Sequence, residues 1–311
     1  KQNKIHISEP SLDQILEKTL KEEKFIPVDC AQYADIFLIA VPTPFLKDRG
    51  EIPKPNIKFI ESATSMISKV IRPGNLVIIE STSPVGTCEK MHNQLLNQTS
   101  LKENQFQLAY CPERVLPGQI MNELIYNNRV VGGINEESSL SASKFYKKFC
   151  KGKVTVTDCR TAELVKLAEN AYRDVNIAFA NELSIICNSK KINSSDLIKL
   201  ANDHPRVNIL NPGCGVGGHC IAVDPWFIVS QEPRNTPLIQ AARHVNNNKT
   251  KWCFETIKEK YNLKKKVIKR EPIIGCLGIT YKPNVDDLRE SPALKIIKDL
   301  SNEGIEIKIC E

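Results

Sequence analysis

Several protein classes are excluded by what this chain lacks. No stretch reaches the ~18 consecutive apolar residues of a membrane-spanning helix, and the opening KQNKIHISEP does not have the layout of a secretory signal. Lysines and arginines are scattered, not gathered into the runs that track nucleic acid. There is no low-complexity tract and no repeat of fixed short period. There is no CxxC pair either. The 11 cysteines are odd in number and spread along the chain, which argues against a disulfide framework and a zinc knuckle and for a reducing cytoplasm. Cys214, His219 and Cys220 have the spacing of no structural zinc site, so no metal is expected. What remains is an ordinary globular composition, 41% hydrophobic and 25% charged over 311 residues, enough for two or three domains. The net charge of +7 is mild and suits a phosphate-bearing ligand.

Against that background residues 211–227, NPGCGVGGHCIAVDPWF, stand out. Gly213, Gly215, Gly217 and Gly218 let the backbone take positive φ and approach a ligand closely. Cys220 follows, with Asp224 placed to orient water or tune the thiol. Two readings fit the pattern: a nucleophilic thiol, or a tight turn carrying a core cysteine.

The first half alternates buried strands with helices. Strands are expected at 35–41, 76–80, 106–110, 129–131 and 154–156, with helices at 55–70 and 87–96. Such alternation reads as a parallel α/β sheet, whose ligands lie outside the carboxyl ends of the strands. VPTP and ESTSPVG occupy two such ends, as cofactor loops or as ordinary strand-to-helix turns. A long helix is expected over 161–189, with Thr161 as N-cap and Glu163 at the positive end of the dipole. Leu164, Leu167, Ala168, Ala171, Val175 and Ala178 share one face; Lys166, Asn170 and Arg173 share the opposite one. That polar stripe suits either a substrate phosphate or oxyanion, or plain solvent. Helices follow at 195–201 and 236–260, then a basic linker Lys264-Lys265-Lys266. The α/β pattern resumes with a strand at 273–277, a helix from 293 and a strand at 305–309.

VPTPF (41–45), ESTSPVGT (80–87), YCPERVLPG (110–118), KLAENAYRDVNIAFANEL (166–183), HPRVNIL (204–210), GVGGHCIAVDPWF (215–227) and YKPNVDDLRESPA (281–293) occur in the order and approximate spacing of one family. On these motifs the chain resembles the nucleotide-sugar 6-dehydrogenases, the UDP-glucose/GDP-mannose dehydrogenase family. CPERVLPG, HPRVNI and GGHCIAVDPWF are closer to the branch that oxidises UDP-N-acetyl-D-mannosamine than to the glucose branch. The resemblance implies an α/β fold in three parts. A Rossmann-like NAD domain would occupy 1–157 and lack its first βαβ elements. A central long-helix region with the catalytic Lys and Cys would follow at 158–262. The start of a Rossmann-like UDP-sugar domain would occupy 263–311. It further implies NAD as cofactor, a UDP-sugar substrate and a homodimer built on the middle helix.

The resemblance also implies residue roles. Cys220 would be the nucleophile, and Lys166 the general base or, as ammonium, a stabiliser of the oxyanion beside Asn170. Asp224, Glu113 and Thr82 would position or activate the hydrolytic water. Arg114, Val115, Arg173, His204, Arg206, Gly217, Tyr281 and Lys282 match substrate contacts, as do Lys166 and Asn170. Thr43, Thr82 and Arg289 match cofactor contacts. Two departures stand out. The strand, GxGxxG loop and acidic residue that open the family's NAD domain are absent, so the chain reads as a piece lacking both ends. Pro117 stands where some relatives carry a second glutamate.

Overall fold

The computed structural model describes residues 9–46, 52–282 and 287–310. Residues 283–286 of the YKPNVDD motif lie outside the described residues. The chain divides into two compact units, Lys1–Ala168 and Glu169–Glu311.

In chain order the first unit holds α1 (Leu12–Lys21), β1 (Ile36–Ile39), the short pair β2 (Phe45–Leu46) and β3 (Lys54–Pro55), α2 (Lys58–Ile67), β4 (Leu76–Ile79) and α3 (Thr87–Gln98). Then come β5 (Gln107–Tyr110), α4 (Ile120–Tyr126), β6 (Arg129–Gly133), α5 (Glu136–Tyr146) and β7 (Val154–Asp158). Five of these strands form one sheet in the order β1-β4-β5-β6-β7. β4 is buried along its whole length, as its unbroken apolar run requires of a strand covered on both faces. The pleat sends Val77 and Ile79 into a cluster with Ile60, Met91 and Leu95 from α2 and α3. Leu76 and Ile78 face the other way, into a cluster with Ala142 and Tyr146 of α5. Each such side chain contributes about 1.5–3 kcal/mol of transfer free energy.

The sheet is not parallel throughout. β1, β4 and β5 run together, but β6 pairs antiparallel with β5, through Ala109 with Gly133 and Tyr110 with Gly132; β7 then follows β6 in parallel. The segment between β5 and β6 contributes only the seven-residue α4, short of a full crossover that would return the chain to the starting edge.

α6 (Cys159–Lys190) is one continuous helix that begins in the first unit and continues into the second. Its N-cap is Asp158 and not Thr161. Asp158 Oδ1 accepts the Thr161 N–H at 2.8 Å, and Oδ2 accepts the Thr161 hydroxyl at 2.6 Å. An aspartate three residues closer to the start takes the role because its carboxylate reaches the N3 donor. Glu163 does not serve its own helix either. It is fully buried and receives the N–H groups of Gly86 at 2.6 Å and Cys88 at 2.8 Å, so it closes the first turn of α3.

The second unit continues with α7 (Ser194–Asn202), α8 (Asp224–Gln231), α9 (Pro237–Ile268), β8 (Ile274–Leu277), α10 (Pro292–Asn302) and β9 (Ile307–Cys310). Lys264, Lys265 and Lys266 are not a linker. They lie in the last turns of α9, where cations favour the helix dipole, so position 262 falls inside a helix. β8 and β9 pair in parallel around α10, whose Ile296 and Leu300 pack against Phe254, Ile257 and Tyr261 of α9.

Candidate active site

In the first unit the loops after β1 and β4 are locked together by one hydroxyl. Ser81 Oγ accepts the Val41 N–H at 2.7 Å and donates to the Val41 carbonyl at 2.8 Å. Thr43 and Thr82 sit half-buried on these loops, at the carboxyl edge of the sheet. That edge is where an open α/β sheet receives a dinucleotide, and two loops pinned to each other with half-buried threonines fit such a ligand. The N-terminus of α3 is not available to a pyrophosphate, because Glu163 already takes two of its first donors. Burial holds the Glu163 carboxyl above its ordinary range, against the pull of those donated bonds.

The loop after β5 carries Glu113, Arg114 and Val115, all half-buried. Glu113 Oε1 accepts the Arg114 N–H at 2.7 Å, and the Arg114 side chain donates to the Asn128 carbonyl. Glu9, which the sequence reading did not single out, is buried and fixes the far end of this loop. Its carboxylate accepts the N–H groups of Gly118 at 2.7 Å and Ile120 at 2.8 Å. Lys166, on α6, is also buried, at 9% exposure, which removes the solvent-facing reading for this cation.

Asn170, one turn further along α6, belongs to the second unit and is 5% exposed. Its amide donates to Asp224 Oδ2 at 2.6 Å, and Asp224 is itself 2% exposed at the first position of α8. Arg173 faces solvent instead, so the stripe divides. The opposite face is also mixed: Leu167, Ala171 and Ala178 are buried, while Leu164 is 45% exposed.

The cysteine loop is tied down at both ends. Asn181 Oδ1 accepts the Gly213 N–H at 2.8 Å, while the Cys220 carbonyl accepts the N–H groups of Val223 at 3.0 Å and Asp224 at 2.8 Å. Cys220 itself is half-buried, between a core cysteine and a free surface thiol. Gly217 and Gly218 are required by close approach. A Cβ on Gly217 would lie 2.6 Å from Tyr281 Cβ and 2.7 Å from the Glu290 carbonyl oxygen. Gly218, at φ +82°, would bring one to 2.9 Å from the Tyr281 ring. Its N–H donates to the Arg289 carbonyl at 2.9 Å.

The structure therefore brings Gly217, Cys220, Tyr281 and Arg289 together within the second unit. Tyr281 and Arg289 lie within electrostatic reach of the Cys220 sulfur. Burial, then the Asp287 charge, pushes the Tyr281 hydroxyl above its usual range. Arg289 grips Asp287 with paired bonds of 2.8–3.1 Å, which holds the Asp287 carboxyl below the usual range. Lys282 is half-buried beside Tyr281; its carbonyl accepts the Thr280 hydroxyl at 2.9 Å.

His204 and Arg206 are exposed on the loop after α7. The Asn202 side chain closes this loop with bonds to both the N–H and the carbonyl of Ile209, at 2.7 and 3.0 Å.

Behind the cysteine loop runs a polar chain missed from sequence. Arg243 Nη1 donates to Asp174 Oδ1 at 2.6 Å, Asn246 donates to the same oxygen at 2.7 Å, and Asn181 donates to Asn246 at 2.9 Å. Asp174 is fully buried, and burial raises its carboxyl although Arg243 opposes the shift. The signal lies in one acid and one amide inside KLAENAYRDVNIAFANEL, Asp174 and Asn181, on positions a helix would otherwise fill with apolar residues.

Among the described residues no helix is long and apolar enough to cross a membrane, and no group of three or more His, Cys, Asp or Glu is placed to hold a metal.

Three domains of one family match successive parts of the chain. Residues 1–150 match the NAD binding domain of the UDP-glucose/GDP-mannose dehydrogenase family, residues 160–248 its central domain and residues 275–311 its UDP binding domain. A UDP-N-acetyl-D-mannosamine dehydrogenase of Campylobacter jejuni is 50% identical over 97% of this chain and 74% of its own length. An NDP-N-acetyl-D-galactosaminuronic acid dehydrogenase of Ralstonia solanacearum is 47% identical over 98% of this chain and 72% of its own. Among solved structures, a UDP-D-ManNAc dehydrogenase from Pyrococcus horikoshii superposes with a TM-score of 0.91 at 39% identity, covering 99% of this chain and 73% of that one.

Proposed function

The chain belongs to the UDP-glucose/GDP-mannose dehydrogenase family of NAD-dependent oxidoreductases, and from that premise we propose that it oxidises UDP-N-acetyl-D-mannosamine to the uronic acid. The observation that carries the reading is the 50% identity to an N-acetylmannosamine enzyme together with the cysteine loop packed on Tyr281. Bound NAD supplies the hydride acceptor; Thr43, Thr82 and Arg289 would hold it.

The chain's own groups account for the rest. Lys166 takes the C6 hydroxyl proton, or as ammonium stabilises the alkoxide, with Asn170 as hydrogen-bond donor beside it. Once the C6 aldehyde has formed, the Cys220 thiolate adds to its carbon and gives a thiohemiacetal. Loss of the second hydride leaves a thioester. Water then attacks, the C–S bond breaks, and the carboxylate departs while Cys220 is regenerated. Asp224, Glu113 and Thr82 position or activate that water. The bond that Asn170 donates fixes the Asp224 carboxylate in the second unit. The covalent stage also keeps a reactive aldehyde from escaping. Arg114, Val115, Arg173, His204, Arg206, Gly217, Tyr281 and Lys282 would contact the nucleotide sugar.

The domain division, with a NAD part, a central helical part and the start of a UDP part, follows the same reading. So does a homodimer on α6, where Tyr172, Phe179 and Ile186 recur every seven residues at 71%, 54% and 48% exposure. A cytoplasmic setting and a product destined for surface polysaccharide complete it. The test of substrate is NADH formation compared across UDP-N-acetylmannosamine, UDP-N-acetylglucosamine, UDP-glucose and GDP-mannose. Turnover confined to one of the last three would overturn the sugar assignment and keep the chemistry.

A further inference from the structure

β6 runs against β5, and its first residue is therefore carried to the carboxyl end of β5. The pairs Ala109–Gly133 and Tyr110–Gly132, continued three residues past Tyr110, set position 113 opposite position 129. Side chains meet there. Arg129 Nη2 donates to Glu113 Oε2 at 3.3 Å, with Arg129 4% exposed and Glu113 31%. The other carboxylate oxygen is held by the Arg114 N–H at 2.7 Å, so both oxygens of Glu113 are addressed. The guanidinium is fixed in turn. It lies 4.8 Å from the Tyr146 ring centre and 5.8 Å from that of Phe149, and it also donates to the Leu124 carbonyl at 3.4 Å. Tyr146 donates its hydroxyl to Glu80 Oε1 at 2.5 Å, which ties the same cluster to the first residue of ESTSPVG.

A desolvated cation persists only when it is paired and hydrogen-bonded. Burial is the largest single influence and opposes the Arg129 charge; Glu113 first, then Cys111 and Tyr146, together outweigh that opposition. Glu113 is thus gripped from the inside while a third of its surface stays open. We propose that Arg129 is a positioning residue, which holds the Glu113 carboxylate in the orientation that accepts a proton from the water cleaving the Cys220 thioester. The inference rests on the reading of Glu113 given above. In that step the water oxygen bonds to the thioester carbon, the C–S bond breaks and its electron pair leaves with Cys220. The water proton passes to Glu113, and nothing is oxidised or reduced. Arg129 forms no bond to substrate and gives up no proton.

The experiment compares Arg129→Met, Arg129→Lys, Glu113→Gln and the double variant Arg129→Met/Glu113→Gln in the NAD-loaded enzyme. Steady-state kcat and KM are read beside the fraction of enzyme carrying a sugar thioester, by intact mass after rapid quench. Methionine keeps the packing against Tyr146 and Phe149 and removes the charge. The expected result is a kcat lower by about 10²-fold for Arg129→Met, as for a misplaced catalytic group, with KM little changed and the thioester accumulating. Arg129→Lys recovers much of the rate, and the double variant is no slower than Glu113→Gln alone. A slow Arg129→Met without thioester, or effects that multiply in the double variant, would overturn the inference. Wild-type thioester breakdown in Glu113→Gln would show instead that Glu113 is not the base, and the positioning role would fall with it. Should Arg129→Met not fold, Arg129→Lys decides, because an ammonium cannot reproduce the guanidinium fork. A slower thioester breakdown supports the inference, and an unchanged one overturns it.

Discussion

Replacing Glu163 by alanine strips the first turn of α3 of its acceptor. Two N–H groups, those of Gly86 and Cys88, now reach Glu163 at 2.6 and 2.8 Å, and the side chain has no solvent exposure. A buried donor left unsatisfied costs about 1–3 kcal/mol, so the pair together costs about 4 kcal/mol. For a cooperative unit of this size that corresponds to roughly 10 °C in Tm. Differential scanning calorimetry reads it directly. A variant melting within about 2 °C of the parent would refute the reasoning, because it would mean the donors find other partners at no cost. Glutamine separates charge from shape. Burial raises the Glu163 carboxyl, so the folded state binds its proton more readily than the unfolded chain does. That contribution to stability is fully present below the unfolded pKa and is lost as pH rises through the raised folded value. The Tm gap between the parent and Glu163→Gln therefore widens on acidification from neutral pH. A gap that narrows would contradict the sign. Since the turn adjoins the loop bearing Thr82, Glu163→Ala also weakens NAD binding more than it lowers kcat.

Arg243→Met leaves the fully buried Asp174 without its cation and costs about 3–5 kcal/mol. Adding Asp174→Asn recovers most of that loss in a chemical-denaturation series, and failure to recover any would mean the pair is not what holds α9 to α6. Cys220→Ala retains nucleotide-sugar binding by calorimetry and forms no uronic acid; carboxylate at the parent rate would sink the thiohemiacetal. Light scattering of the purified protein reads twice the chain mass, and Tyr172→Lys with Phe179→Lys reduces it to one; a monomeric parent would remove the dimer reading.

The strands of the sheet were legible because each is a continuous apolar run ended by a breaker, and β1 and β4 fall within a residue or two of their expected limits. Reversal of β6 was not legible. Hydrophobic periodicity reports burial and is blind to direction. Thr161 and Glu163 differ from expectation for a related reason: local sequence places both in service of their own helix, whereas Asp158 supplies that cap and Glu163 serves α3, 75 residues away from its Cys88 donor. The α9 terminus was cut short because three consecutive lysines look like a linker, although a helix C-terminus favours them. Of the four glycines in the cysteine loop, Gly215 and Gly218 take positive φ and Gly213 and Gly217 do not; the structure adds what Gly217 and Gly218 approach, the Tyr281 side chain and the Glu290 backbone. The polar chain from Arg243 to Gly213 needed the fold, because its members come from two helices and a loop.

The central claim is a four-electron oxidation in one enzyme, and its most direct test is the number of NADH released per UDP-N-acetylmannosamine consumed. The account predicts two, with the uronic acid as the sole sugar product. One NADH per sugar, with free aldehyde in solution, would contradict it.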